Sequence, residues 1–409
     1  MQGFQHSIRH ALYPLAIVLI VNLAGCGGGA VDKTAANTGT ALSCVAKHPT
    51  ATTTQLIACN GELNRKVDLV MTTFMQENGI TAGSIAIRKN GDLLLEQGYG
   101  YRDAAKTTAL PANALFNLAS TVKPITAAAV HKLAKGNSLA LNDRVFCSGS
   151  NAPCWLPQSL LPEKFDSRLF DIRIQHLLDH QAGWDAELSG DASVSEAAIQ
   201  QQLGLQGPPE QDEIIRVVLT QSLDFAPGTK TAYSNFSYLL LGRIIEQASK
   251  MPYVQYVHTN LLQPLGVAKA DFEGLKSLIK DRNPREPNYI TTIMAPSVFA
   301  PGTMVSAIDG AQRTENWVGA GSIISTANVL ALFAANYRLP EGTPLAGAFN
   351  NGGHAGADPG VSTVVRQLPS GLSYAFMLNK LDDNHSDGEA SYQMRLLKKI
   401  EDVIQTTGL

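Results

Sequence analysis

The sequence predicts an α/β fold of the α+β type: an antiparallel sheet flanked by helices, with a mostly helical domain inserted between its two halves. Three observations carry this expectation. Alternating apolar runs surround Asn90-Gly91 near the beginning and Pro369-Ser370-Gly371 near the end, and each reads as a β-hairpin. Between them, from about 145 to 300, the segments look helical or looped. Amphipathic helices lie outside both hairpins. The domains expected are therefore an α/β domain from residues 61–145 and 301–409, and a mostly helical domain from 146–300.

Leu63, Val67, Val70, Met71, Phe74 and Met75 recur at helical spacing, so a helix is expected from Leu63 to about Asn78. Gly83 to Arg88 and Asp92 to Gly98 form the first hairpin; Lys89-Asn90-Gly91 also fits a Lys-x-Gly pattern, but the turn explains it better. An Ala-rich run begins at Ser120 and ends at Lys135-Gly136, where glycine is a natural terminator. Pro124 falls in its first turn, where no intrahelical donor is lost. Ile174 to His180, Ile214 to Thr220 and Ser237 to Ala248 are further helices, and 185–212 and 276–300 read as loops or insertions. After Gly319 strand character returns. Gly360 to Gln367 and Leu372 to Asn379 form the second hairpin, and Tyr392 to Ile404 a closing amphipathic helix.

The chain has 409 residues, a formal charge of −3 and 44% hydrophobic residues, an ordinary globular balance. No basic excess points to a nucleic-acid partner. No clustered Cys/His spacing points to a metal, and no organic cofactor is implied.

The first 25 residues read as an export signal: His6, Arg9 and His10, then an apolar stretch from Ala11 to Val21. Leu23-Ala24-Gly25-Cys26 resembles the lipobox of bacterial lipoproteins. That resemblance implies cleavage before Cys26 and a lipid on its thiol; an ordinary secretory signal is the alternative. Gly27 resembles the outer-membrane sorting pattern, so the expected location is the bacterial envelope, anchored by lipid at the outer membrane and facing the periplasm. Residues 26–60, rich in Gly, Ala, Thr and Ser at their start, read as a tether. Four further cysteines remain, and local pairing gives Cys44–Cys59 and Cys147–Cys154, one of three possible connectivities.

Three motifs carry chemistry. Ser120 and Lys123 are three apart at the start of a helical run, so Oγ and Nζ can meet, and a neutral lysine can take a serine proton. The plain alternative is a serine N-cap, and Ser277-Leu278-Ile279-Lys280 shows that Ser-x-x-Lys also arises by chance. Tyr233-Ser234-Asn235 is the one Tyr-x-Asn in the chain. A phenol beside a lysine ammonium is expected to have a lowered pKa and to shuttle protons, though a core tyrosine would look the same. His354-Ala355-Gly356 is the one His-x-Gly, in a Gly-rich run that suits an edge strand lining a cleft.

Ser120-x-x-Lys123, Tyr233-x-Asn235 and His354-x-Gly356, in that order, resemble the class C β-lactamase and penicillin-recognising serine hydrolase family. Ile174 to Gly183, Leu261 to Gly266 and Gly319 to Thr326 resemble its flanking segments, and the likeness spans about 63 to 404. It implies the β-lactamase/transpeptidase fold with the site between the domains. It implies Ser120 as acylated nucleophile, Lys123 and Tyr233 as acid/base groups, and Asn235 as a holder of Lys123 and substrate. The backbone N–H groups of Ser120 and Ala357 would form the oxyanion hole. His354 would stand where many lactamases carry Lys, and His180 would pack near the cleft. A neutral histidine anchors a β-lactam carboxylate less well than an ammonium. The partner expected is therefore a small molecule or peptide with an ester or D-amino-acid amide bond. The alternatives are a class C-like β-lactamase and a non-catalytic lipoprotein that binds cell-wall peptides. No Gly-x-Ser-x-Gly elbow of an α/β-hydrolase occurs.

Overall fold

The structure, a computed structural model, describes residues 53–147, 154–191, 194–339, 352–382 and 390–409. The export segment, Cys26 and Cys44 lie outside the described residues, as does the side chain of Cys59, and so the Cys44–Cys59 pairing does too. Cys147 and Cys154 stand at disulfide distance, with Cα atoms 5.1 Å apart.

The first half of the chain supplies α1 (Thr53–Glu77), β1 (Ala82–Lys89), β2 (Asp92–Gly100), β3 (Phe116–Asn117), α2 (Lys123–Lys135), β4 (Arg144–Phe146) and β5 (Cys154–Leu156). Short helices α3 (Ile174–Leu178), α4 (Glu196–Leu203) and α5 (Gln211–Val218) follow, then α6 (Asn235–Ser249) and α7 (Tyr253–Val257). Next come β6 (Phe272–Gly274), β7 (Met294–Pro296), β8 (Met304–Ser306), β9 (Ile323–Ser325) and α8 (Ala327–Asn336). The chain closes with β10 (Gly353–Asp358), β11 (Val361–Gln367), β12 (Leu372–Leu378) and α9 (Tyr392–Thr406).

Both ends of the chain build one antiparallel sheet, in the order β10-β11-β12-β1-β2. Ile85 pairs with Phe376 and Ile87 with Tyr374, so the two hairpins join through their inner strands. Alternate residues of these strands enter different cores. Ile85, Ile87, Phe376 and Val364 meet Leu63, Val67, Met71 and Phe74 of α1 and Leu396 and Ile400 of α9. Ala86, Ala375, Met377 and Val365 belong to the larger core that also holds Phe333 of α8 and the central helices. Both faces of the sheet are therefore covered, and β10 is left as an edge.

Three expectations need correction. The stretch 185–212 contains α4, closed by Gly204 in a left-handed conformation, rather than loop alone. The stretch 276–300 contributes β7, which pairs with β8. Strand character does return after Gly319, in β9, but the chain then forms the unexpected helix α8 before β10. Ala-Asn-Val-Leu-Ala-Leu-Phe-Ala-Ala-Asn is apolar almost throughout and lies against the sheet, so its sequence has no polar face to reveal a helical period. Thr326, whose side chain accepts the Val329 N–H, was the readable start signal.

Candidate active site

Ser120 sits in a 3-10 turn, Ala119–Val122, that runs directly into α2. It does not cap that helix: Leu118 and Val122 hold the capping positions, without side-chain bonds. The turn is strained and held from several sides. Ala119 has φ +46°, a left-handed conformation that costs a non-glycine residue about 1 kcal/mol or more. Asn117 Oδ1 accepts the Ala119 N–H at 3.0 Å, while Asn117 Nδ2 donates to Asp358 Oδ2 at 2.9 Å. The Leu118 carbonyl accepts from Thr121 at 2.6 Å and from Thr363 of β11 at 2.8 Å. The Leu118 N–H donates to Ile323 O at 2.8 Å, which ties the turn to β9.

Lys123 is the first residue of α2 and is 1% exposed. Its Nζ lies 3.0 Å from Ser120 Oγ, 2.8 Å from Asn235 Oδ1 and 2.7 Å from the Ala320 carbonyl. Asn235 begins α6 because Ser234 is its N-cap, its hydroxyl accepting the Ser237 N–H at 3.2 Å. The same cap presents Tyr233, whose OH is 2.8 Å from Ser120 Oγ. The Ala320 carbonyl comes within reach because α6 packs tightly on the segment before it. A Cβ on Gly319 would stand 2.7 Å from Tyr238 O and 2.8 Å from Gly242 Cα.

The edge strand β10 closes the site from the other side. A Cβ on Gly356 would stand 2.7 Å from Leu118 O and 3.0 Å from Ser120 N, so only glycine lets β10 lie against the Ser120 turn. Ala357, one residue on, is exposed. His354 is buried and its Nδ1 lies 2.7 Å from the carbonyl of Ala355, next to it in the chain.

The electrostatics follow from burial. Desolvation lowers Lys123 to about 7, against the opposing pull of Asp191 and Asp358, so neutral amine is available near neutral pH. Burial and the nearby Lys123 lower His354 to about 4, and burial with Lys123 and His354 lowers His180 to about 3. Both imidazoles are therefore neutral at pH 7. The expected lowering of Tyr233 is reversed: desolvation raises its phenol, and the Ser120 hydrogen bond only partly opposes this. The phenol keeps its proton, and the lysine gives up its own more readily.

The motif residues Ser120, Lys123, Tyr233, Asn235 and Gly356 thus converge on one place. Asn117, Asp358, Thr363 and the Ala320 carbonyl also converge there and were missed. Asn117 stood three residues before the serine, but nothing in a lone sequence ties Thr363 or Ala320 to it.

The beta-lactamase family model matches residues 67–399. Protein flp of Staphylococcus aureus (strain COL) is 27% identical over 209 residues, 51% of this chain and 38% of that protein, so the chain spans well under half the length of this relative. Among solved structures, the octameric penicillin-binding protein homologue from Pyrococcus abyssi superposes with a TM-score of 0.59 at 18% identity, covering 84% of this chain and 77% of that one. EstCE1, a hydrolase with promiscuous acyltransferase activity, gives 0.58 at 19% identity, covering 84% and 99%. At such identities the two structures speak for the fold, while the family model spans both hairpins and every motif residue, and on that ground the chain belongs to the beta-lactamase family.

Proposed function

We propose that the chain is an acyl-serine hydrolase that cleaves an ester or a D-amino-acid amide or peptide bond at Ser120. The observation that carries this is one hydroxyl, Ser120 Oγ, placed between Lys123 Nζ at 3.0 Å and Tyr233 OH at 2.8 Å. A neutral Lys123 keeps two donors, for Asn235 Oδ1 and the Ala320 carbonyl, and turns its lone pair to Ser120. It takes the serine proton as Oγ bonds to the carbonyl carbon. The backbone at Ser120 and Ala357 receives the oxyanion. As the intermediate collapses, the Tyr233 phenol gives its proton to the leaving group and is reprotonated from the Lys123 ammonium. Water then enters by the same route in reverse and releases the acid.

The neutral, buried His354 argues against a substrate held by its carboxylate. Ser120→Ala, assayed with p-nitrophenyl acetate and butyrate, D-Ala-D-Ala peptides and nitrocefin, tests the assignment. Wild type should hydrolyse an ester or the peptide and gain one fluorophosphonate adduct by intact mass, and the variant should do neither. Full activity in Ser120→Ala sinks the site, and nitrocefin as the preferred substrate would make the chain a β-lactamase instead.

We also propose that Cys26 carries a lipid anchor at the outer membrane, on the strength of Leu23-Ala24-Gly25-Cys26. Expressed from the full chain, the protein should partition into detergent and Cys26→Ala into the aqueous phase; equal partitioning rejects the anchor.

A further inference from the structure

His180 belongs to none of the three motifs, yet it grips Tyr233 from both sides along the chain. Its carbonyl accepts the Ala232 N–H at 2.8 Å, and its Nδ1 accepts the Ser234 N–H at 3.2 Å. Its ring lies 4.8 Å from the Tyr233 ring and 5.0 Å from that of Tyr238, tilted 34° to each. Tyr238 is itself fixed by its hydroxyl, which donates to Leu178 O at 3.1 Å, so the imidazole is wedged against an anchored neighbour. Lys123 Nζ stands 5.0 Å from the Tyr233 centroid. The phenol is thus held between the imidazole, its two flanking amides and the lysine.

The position looks poorly suited to stability alone. His180 has φ +56°, a left-handed backbone uncommon outside glycine. Because Nδ1 accepts a hydrogen bond, the ring proton lies on Nε2, and Nε2 is buried with no hydrogen-bond partner among the described residues. Strained backbone and an unmatched buried donor together are features that accompany functional sites.

We propose that His180 is the positioning residue for the acid/base phenol: it sets the Tyr233 hydroxyl on Ser120 Oγ through the backbone on both sides of Tyr233 and through its ring face. This rests on the reading of Tyr233 as proton donor to the leaving group.

Leaving-group dependence separates this role from a structural one. A nitrophenolate departs without a proton, whereas an alkoxide needs one, so a displaced phenol penalises only the second. His180→Asn tolerates the left-handed backbone but loses the ring face. His180→Phe keeps a ring but loses the acceptor. With kcat/KM, which reports acylation alone, ethyl butyrate should fall roughly 30-fold or more and p-nitrophenyl butyrate less than about 3-fold in these variants. Partial unfolding lowers both esters alike and so cannot imitate the pattern. Tyr233→Phe should show the same selectivity, and His180→Asn/Tyr233→Phe should be no worse than Tyr233→Phe alone. If Tyr233→Phe lacks the selectivity, the phenol's role fails and this proposal with it. If Tyr233→Phe shows it but the His180 variants lower both esters equally, or the double variant is additive, the phenol's role stands and His180 does not position it.

Discussion

Ser120-x-x-Lys123 and Ser277-x-x-Lys280 are the same motif in one chain, and the structure gives them opposite fates. Around Ser120 a 3-10 turn runs into α2, so the third residue onward returns to the same face and Nζ reaches Oγ at 3.0 Å. Around Ser277 the chain is extended at Leu278, and the following 3-10 turn starts only at Ile279. Lys280 is exposed there, whereas Lys123 is 1% exposed. Ser277 is buried and its hydroxyl is already engaged, donating to Glu315 and accepting the Thr314 N–H at 3.1 Å. Spacing brings two side chains together only where the backbone is helical, and proximity becomes reactivity only where the lysine is desolvated.

The largest expected effect removes that desolvated amine. Lys123→Met should lower kcat/KM by about 10³-fold or more, as loss of a proton acceptor does when the rest of the site stays intact. Wild-type kcat/KM should rise with pH and level off above about 7, because burial lowers Lys123 to about 7 and the proposed mechanism needs the neutral amine. An unchanged profile in the variant would remove Lys123 from the chemistry. The stability sign runs the other way. Folding holds Lys123 near 7 against an ordinary lysine value of 10.5, so the native state binds fewer protons between these values. The burial cost is therefore fully present below pH 7 and fades as pH rises towards 10.5. Lys123→Met should melt above wild type, and by a wider margin at pH 6 than at pH 9. Lys280→Met, at an exposed position, should change neither activity nor melting.

A second change sharpens what context the working motif needs. Gly356→Ala puts a methyl group against Leu118 O and Ser120 N, backbone atoms that cannot swing aside. Either β10 retreats or the Ser120 turn does, and the backbone N–H groups of Ser120 and Ala357, the proposed oxyanion donors, separate. A loss of roughly 10²–10³ in kcat, the scale of one oxyanion donor, is expected with little change in KM. Wild-type kcat in this variant would show that the edge strand takes no part in catalysis. Beside Ser277, Gly310 donates to its carbonyl at 3.0 Å, and a Cβ there would meet the Leu278 side chain at 2.9 Å, not backbone.

How much of this was legible follows the same division between local pattern and distant contact. Both hairpins and the two amphipathic helices packed on them could be read, because one period governs each element and a turn or cap bounds it. The Tyr233-Ser234-Asn235 motif could be read, but not its cap: the helix expected from Ser237 begins at Asn235, with Ser234 as its N-cap. Helix α8 could not, since its half-buried face carries apolar Leu332 and Ala335 beside Asn328 and so shows no polar stripe. Asp358, Thr363 and the Ala320 carbonyl reach the Ser120 site only through sheet register and helix packing. The direction of the Tyr233 shift was misjudged because a nearby ammonium was visible in the motif order, whereas the desolvation that outweighs it is a property of the packed fold.

The smallest expected effect tests the silent copy. Ser277→Ala leaves the Thr314 N–H without its acceptor at 3.1 Å and the Glu315 carboxylate without a donor. Thr314 still donates to the Leu275 carbonyl at 2.9 Å, so the local turn keeps one tie. The loss should be about 1–3 kcal/mol of stability, read as a lower midpoint in urea at unchanged slope. Hydrolysis and fluorophosphonate labelling should stay within about twofold of wild type, since the Ser277 hydroxyl bonds Glu315 and Thr314 and not Ser120, Lys123 or Tyr233, and so moves neither ground nor transition state. A loss of activity as large as that of Lys123→Met would mean that Ser277, and not its orientation-matched counterpart, carries the acyl group. The whole argument from desolvation would then have to be made for Lys280, which is in contact with water.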